Sequence, residues 1–196
     1  MTTNRTRSFA AVAAIAVGVS LTACSQDAET TPTAATSAVT STSSAAASTT
    51  EPVPTDSSDK TSAAGTESKL TVVDIRVGEH DGFDRVVYEM GGTGTPGWRV
   101  KYVDAATQEG SGKPVDIKGA AVIQVLIDGS AYPFDSGVEQ YSGPNPVPGV
   151  GGVVTEVNGS NVFEGVTQSF IGVTKKQPFT VTTLNDPPRV VVDVAR

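Results

Sequence analysis

Few residues in this chain are of a type and spacing that could do covalent or acid–base chemistry. His80 is the only histidine and Cys24 the only cysteine, so no His pair can be assembled within one copy, and His80, in a Gly-rich acidic turn, reads as a solvated or hydrogen-bonded imidazole rather than the base of a catalytic triad. Glu79, Asp81 and Asp84 lie close to His80, and loop carboxylates can hold Ca²⁺, but their spacing matches no EF-hand and a turn-forming role is the simpler reading. A zinc site would need carboxylates in place of the missing His and Cys ligands, poor coordination for that metal. Paired carboxylates could hydrolyse a glycosidic bond, yet acids are frequent enough here that some pair is inevitable. The glycines at 91–97 do not follow Gly-x-Gly-x-x-Gly and precede no helix, so a phosphate cradle is unsupported. No catalytic residue, metal ligand or cofactor is expected. Two arginines, Arg85 and Arg189, could pair with carboxylates. Trp98 could stack on a sugar ring, as could Tyr88, Tyr102, Tyr132 and Tyr141, although a lone Trp in a small β domain also serves as core.

The cysteine is explained by its position. Residues 1–7 carry Arg5 and Arg7 and no acid, and Ser8–Leu21 is apolar and small. That run fits a signal-peptide core and falls short of the roughly 20 residues that span a bilayer. It ends in Leu21-Thr22-Ala23-Cys24, which resembles a bacterial lipobox, where small residues admit a protease and the thiol takes a diacylglyceryl group. The reading is a signal peptide over 1–23, lipidation at Cys24 and a protein held at the outer face of the cell membrane, its domain facing the cell wall.

The rest must position whatever binds. Residues 24–68 are mainly Ser, Thr, Ala and Pro without an aromatic residue, so the spacer buries too little apolar surface to offset ordering and is expected to be disordered. A flexible chain of about 44 residues averages roughly 35–40 Å end to end. The formal charge of −7 has no basic stripe beside it, which argues against nucleic acid as a partner.

Residues 69–196, about 128 in number, are one ordinary domain. Alternating β-branched runs predict strands at 70–77, 83–90, 98–103, 121–127, 166–173, 178–184 and 189–194. Gly78–Gly82 reads as a turn, and Asn158-Gly159 reads as a hairpin turn between 153–157 and 162–163. No stretch holds a helical period. An all-β sandwich or small barrel follows. One echo stands out: Arg85-Val-Val-Tyr-Glu-Met90 against Arg189-Val-Val-Val-Asp-Val194, which predicts two equivalent strands in two related sheets, with chance as the competing explanation.

Gly78-Glu-His-Asp-Gly-Phe-Asp-Arg-Val-Val87, Pro96-Gly-Trp-Arg-Val-Lys-Tyr102, Phe163-Glu-Gly165, Pro178-Phe-Thr-Val181 and Asp186-Pro-Pro-Arg-Val-Val-Val-Asp193 together resemble the AMIN-like domain of actinobacterial lipoproteins. The close is also similar to that of the AMIN domain found beside cell-wall amidases and secretins. The resemblance implies a β-sandwich of two similar small sheets and non-catalytic targeting to peptidoglycan or another envelope component. Arg85, Trp98 and Arg189 are the candidate binding residues. A carboxylate-dependent envelope hydrolase and a protein–protein module of an envelope complex are the alternatives.

Overall fold

The structure is a computed structural model that describes residues 51–196. The signal segment, Cys24 and the spacer up to residue 50 lie outside the described residues. Ten strands and one helical turn follow in order: β1 (Lys60–Ser62), β2 (Lys69–His80), β3 (Phe83–Thr93), β4 (Gly97–Val103), β5 (Ala121–Asp128), α1 (Pro133–Ser136), β6 (Val147–Pro148), β7 (Val154–Phe163), β8 (Val166–Val173), β9 (Phe179–Leu184) and β10 (Arg189–Ala195).

They form two antiparallel sheets, one of six strands ordered β1-β4-β5-β8-β7-β6 and one of four ordered β2-β3-β10-β9. The period-2 alternation places one face of each sheet in a shared core. Leu70, Val86, Tyr88, Met90, Phe179, Val190, Val192 and Val194 of the smaller sheet meet Trp98, Val100, Ile123, Val125, Ile127, Ile171 and Val173 of the larger. Polar groups that cross this core are paired. Tyr88 Oη lies 3.0 Å from Ser169 Oγ, and Trp98 Nε1 donates to Thr183 Oγ1 at 2.9 Å. These bridges set β3 over β8 and β9 over β4. The all-β sandwich expected from the alternation is therefore the fold.

At one end Asp84, fully buried, accepts from the Val154 backbone N–H (2.9 Å) and from Arg196 Nε (2.8 Å), which ties the last residue into the core. A Cβ on Gly152 would stand 2.2 Å from the Asp84 carboxylate, so only glycine admits that approach.

Four expectations are corrected. The spacer does not extend to Ser68. Residues 51–68 join the domain through backbone partners that a composition argument overlooks: β1 pairs with β4 (Lys60 opposite Val100, Ser62 opposite Trp98), Phe179 N–H donates to Asp56 O, and Gly65 N–H donates to Thr95 O, both at 2.9 Å. The region 78–82 is not all turn, because β2 runs to His80 and only Asp81-Gly82 reverse the chain. Asn158-Gly159 is not a hairpin turn. β7 runs straight through it with a register shift between Asn158 and Asn161. There the Asn158 amide donates to Asp116 O (3.1 Å) and Gly159 N–H donates to Asn145 Oδ1 (3.0 Å). The β7–β8 hairpin turns at Glu164-Gly165, both with positive φ (48° and 80°), the geometry a two-residue loop needs. Finally, the two echo strands do not occupy two sheets. β3 and β10 are neighbours in one sheet, with Arg189 opposite Glu89, Val191 opposite Val87 and Asp193 opposite Arg85.

Candidate functional site

The outward face of the four-stranded sheet carries most of the singled-out residues. Strand register arranges them in rows: Thr180, Asp193, Arg85 and Gly78; then Thr182, Val191, Val87 and Arg76; then Leu184, Arg189, Glu89 and Asp74. Arg85 makes a two-pronged pair with Asp193, Nε to Oδ1 at 2.7 Å and Nη2 to Oδ2 at 2.8 Å, and Nη2 also reaches Glu51 Oε1 at 3.0 Å. Hydrogen bonding to Asp193, then to Glu51, raises the guanidinium pKa above its ordinary value. Arg76 is held in the same way by Glu89 (2.9 Å) and by Asp74. Arg189 makes no ion pair among the described residues, and its Nε donates to Pro187 O at 3.2 Å.

Residues 51–55 cross this face as a strap. Glu51 spans Arg85 and His80 (Nδ1 to Oε2, 3.4 Å), and the imidazole stacks on Phe83 with centroids 5.0 Å apart. Pro54 is the one buried residue of the strap. Between strap and sheet lies a groove of about 420 Å³, with Arg85, Thr180, Thr182, Leu184, Val191 and Asp193 on the sheet side.

Trp98 is elsewhere. Only 9% exposed, it lies in the core against β9, and its indole N–H is taken by Thr183. Its ring offers no face to a ligand, so Trp98 and the two arginines do not line one groove. Tyr88 is fully buried, and burial raises its phenol pKa well above the usual range. Tyr102 is half-buried, with its hydroxyl donating to Gln177 O at 2.7 Å.

Among the described residues the exposed aromatics are Phe163, which is alone, and the Tyr132–Phe134 pair, 40% and 82% exposed. The rings stack with centroids 5.4 Å apart and planes 9° from parallel. They are held on the first turn of α1. Pro133 starts that turn, and Gly137 ends it in the left-handed region at φ 74°. The buried Thr71 hydroxyl fastens it, donating to Ala131 O at 2.8 Å and lying 2.7 Å from Ser136 Oγ. Tyr132 was named in the sequence among sugar-stacking candidates. Phe134 was missed, because a single Phe in a Pro-containing loop carries no periodicity that assigns it to a surface. Among the described residues no three His, Cys, Asp or Glu side chains converge as metal ligands would.

The AMIN-like domain family matches residues 70–196, about two-thirds of the sequence. The chain belongs to the AMIN-like family. No curated protein and no solved structure matches it. The AMIN-like match begins at Leu70, inside β2, so β1 and the strap lie upstream of the matched segment. AMIN domains are generally binding modules, and an AMIN-like domain implies a place in the cell envelope.

Proposed function

We propose that the chain is a surface lipoprotein, anchored through Cys24, whose AMIN-like domain binds peptidoglycan or another envelope component without catalysis. The observation that carries the recognition step is the exposed Tyr132–Phe134 stack. Isolated surface apolar residues need no explanation. A stacked aromatic pair with a solvent-facing ring, fixed by a buried threonine, is a preformed platform for the C–H faces of a sugar ring. Two of the three sheet-face arginines, Arg85 and Arg76, are already matched by the chain's own acids, which favours stacking over charge as the means of holding a glycan. The envelope location supports the same reading, as does the lipobox-like Leu21-Thr22-Ala23-Cys24.

Purified sacculi provide the test. A fragment of residues 47–196, whose described residues 51–196 lie in one compact unit, is expected to sediment with wall material, and Phe134→Ala to weaken that binding about tenfold, ~1.4 kcal/mol. Sedimentation no greater than that of an unrelated β domain overturns wall binding. The anchor is checked separately: labelled palmitate is expected to enter the chain and to be lost in Cys24→Ser, and unchanged labelling overturns the lipidation step.

A further inference from the structure

An unpaired sheet edge is a template for another strand, and proteins blunt such edges by shortening, bulging, charging or covering them. Among the described residues three of the four edges here are blunted. β1 has three residues and β6 has two. β2 carries a register irregularity at Val73 and is covered along its first half, where Leu70 N–H donates to Gly129 O (3.0 Å), Ala131 N–H to Leu70 O (2.8 Å) and Tyr141 N–H to Val72 O (2.8 Å).

β9 differs. Its six residues, Phe-Thr-Val-Thr-Thr-Leu, contain no charge and no proline, and its ladder with β10 shows no bulge. The ladder fixes which backbone groups face outward. Ala195 N–H donates to Pro178 O at 2.9 Å, so Pro178, Thr180, Thr182 and Leu184 bond towards β10, while Phe179, Val181 and Thr183 face away. Phe179 N–H is taken by Asp56 O, after which the chain leaves to form β1. The outward N–H and C=O groups of Val181 and Thr183 have no protein partner among the described residues. Side-chain burial agrees. Val181 and Thr183 point inward yet are half-exposed, whereas Val190, Val192 and Val194 of the next strand are fully buried.

The larger sheet decides what can occupy this edge. β4 lies under β9, as shown by the Trp98–Thr183 bond and by the edge-on contact of Tyr102 with Phe179 at 5.7 Å. β1, the next strand beyond β4, therefore forms a ledge under the vacant place beside β9. A second copy joined edge to edge through β9 would bring its own β4 to the ledge, where β1 already lies. A single extended chain, which needs about 4.8 Å of lateral room, fits there.

We propose that the free edge of β9 binds an extended polypeptide segment of about five residues by strand addition. Its backbone bonds Val181 and Thr183. One set of its side chains lies beside Thr182 and Leu184 at the mouth of the strap groove, and the other rests on the ledge near Ser62. β9 is uncharged, Ser62 is small and Lys60 of the ledge is already paired with Asp56, so small or β-branched uncharged residues fit there. The occupant is a protein partner presenting a disordered or extended stretch. The site is separate from the Tyr132–Phe134 surface, so failure of wall binding would leave it standing.

The probe is a blocked Thr-Val-Thr-Val-Thr pentapeptide titrated into the full chain and followed by amide NMR. The Val181 and Thr183 amides are expected to shift and to exchange at least tenfold more slowly at millimolar probe. N-methylation of the probe amides that face β9 is expected to abolish this, and methylation of the opposite set to leave it intact. Val181→Pro, which removes one outward donor and no β10 bond, is expected to weaken binding at least tenfold with the other amide signals in place. Shifts that avoid β9 overturn the proposal, as does equal binding of both methylated probes. So does slow exchange at Val181 that depends on protein concentration without probe, which would make a second copy the occupant.

Discussion

Arg85 and Arg189 begin the same pattern on neighbouring antiparallel strands, and each faces the acid of the other's pattern, around a centre at Val87 and Val191. The two ends of this near-symmetric patch nonetheless differ. At one, Arg85 and Asp193 form a two-pronged pair, partly buried and roofed by Glu51. At the other, Glu89 turns away to Arg76, and Arg189 is left with the carbonyl of Pro187. The neighbours account for the difference. β2 offers Arg85 only Gly78, which competes for nothing, while beside Glu89 it brings Asp74 and Arg76. Similar local sequences bring matching residues face to face, and the adjoining strand decides which of them bond.

That contrast can be broken in several ways. The largest effect is expected from Arg85→Ala, which strands the mostly buried Asp193 carboxylate and should cost about 2 kcal/mol in urea unfolding. A double-mutant cycle with Asp193→Ala should return a coupling of about 1.5 kcal/mol or more, and the cycle for Arg189 with Glu89 should return nearly zero.

Alkali probes the opposite face of the same strand. The buried Tyr88 phenol has a folded pKa raised above its unfolded value of about 10. Its contribution to stability is complete below pH 10 and is lost as pH rises, by about 1.4 kcal/mol at pH 11. Tyr88→Phe should remove that loss, while Arg85 and Arg76, their pKa values raised by their carboxylate partners, stay charged. Absorbance titration should show one of the four tyrosines resisting ionisation until the fold opens.

Glu51→Gln should cost no more than about 0.5 kcal/mol, since half-exposed pairs are weak. It should nevertheless speed hydrogen exchange at Phe179, whose N–H donates to the carbonyl of Asp56, the residue that follows the strap. Arg189→Ala should be neutral within about 0.5 kcal/mol, as surface changes away from such contacts usually are; a larger loss would mean that the two ends are equivalent after all.

Much of the sandwich was legible because period-2 alternation and sheet burial are one phenomenon: Trp98, Val100 and Tyr102 against Arg99 and Lys101 is a pattern that only a one-sided strand explains. Turns were less legible. Asn158-Gly159 has the composition of a hairpin turn, but the Asn145 side chain and the Asp116 carbonyl, distant in sequence, stabilise it as a bulge. The reversal at Glu164-Gly165 puts a glutamate where positive φ is uncommon. β1 and the strap were illegible because their composition is that of a spacer and their order comes from backbone partners some 35 to 120 residues away. Of the candidate site, less was legible: the echo made Arg85 and Arg189 equivalent but in two sheets, and only the pairing of β3 with β10 puts them on one surface. Trp98 was read as a possible platform, since alternation reports which residues share a face and cannot say whether that face is the wet one.

The three residues of β1 have a practical consequence for anyone preparing this protein. A recombinant fragment begun at Leu70, where the family match starts, would lack the strand that shields β4. Gly97–Val103 would then be a seven-residue unprotected border beside the equally bare β9. Two such borders on one side of a sandwich invite aggregation in a sample that, begun at Ala47, should remain in solution.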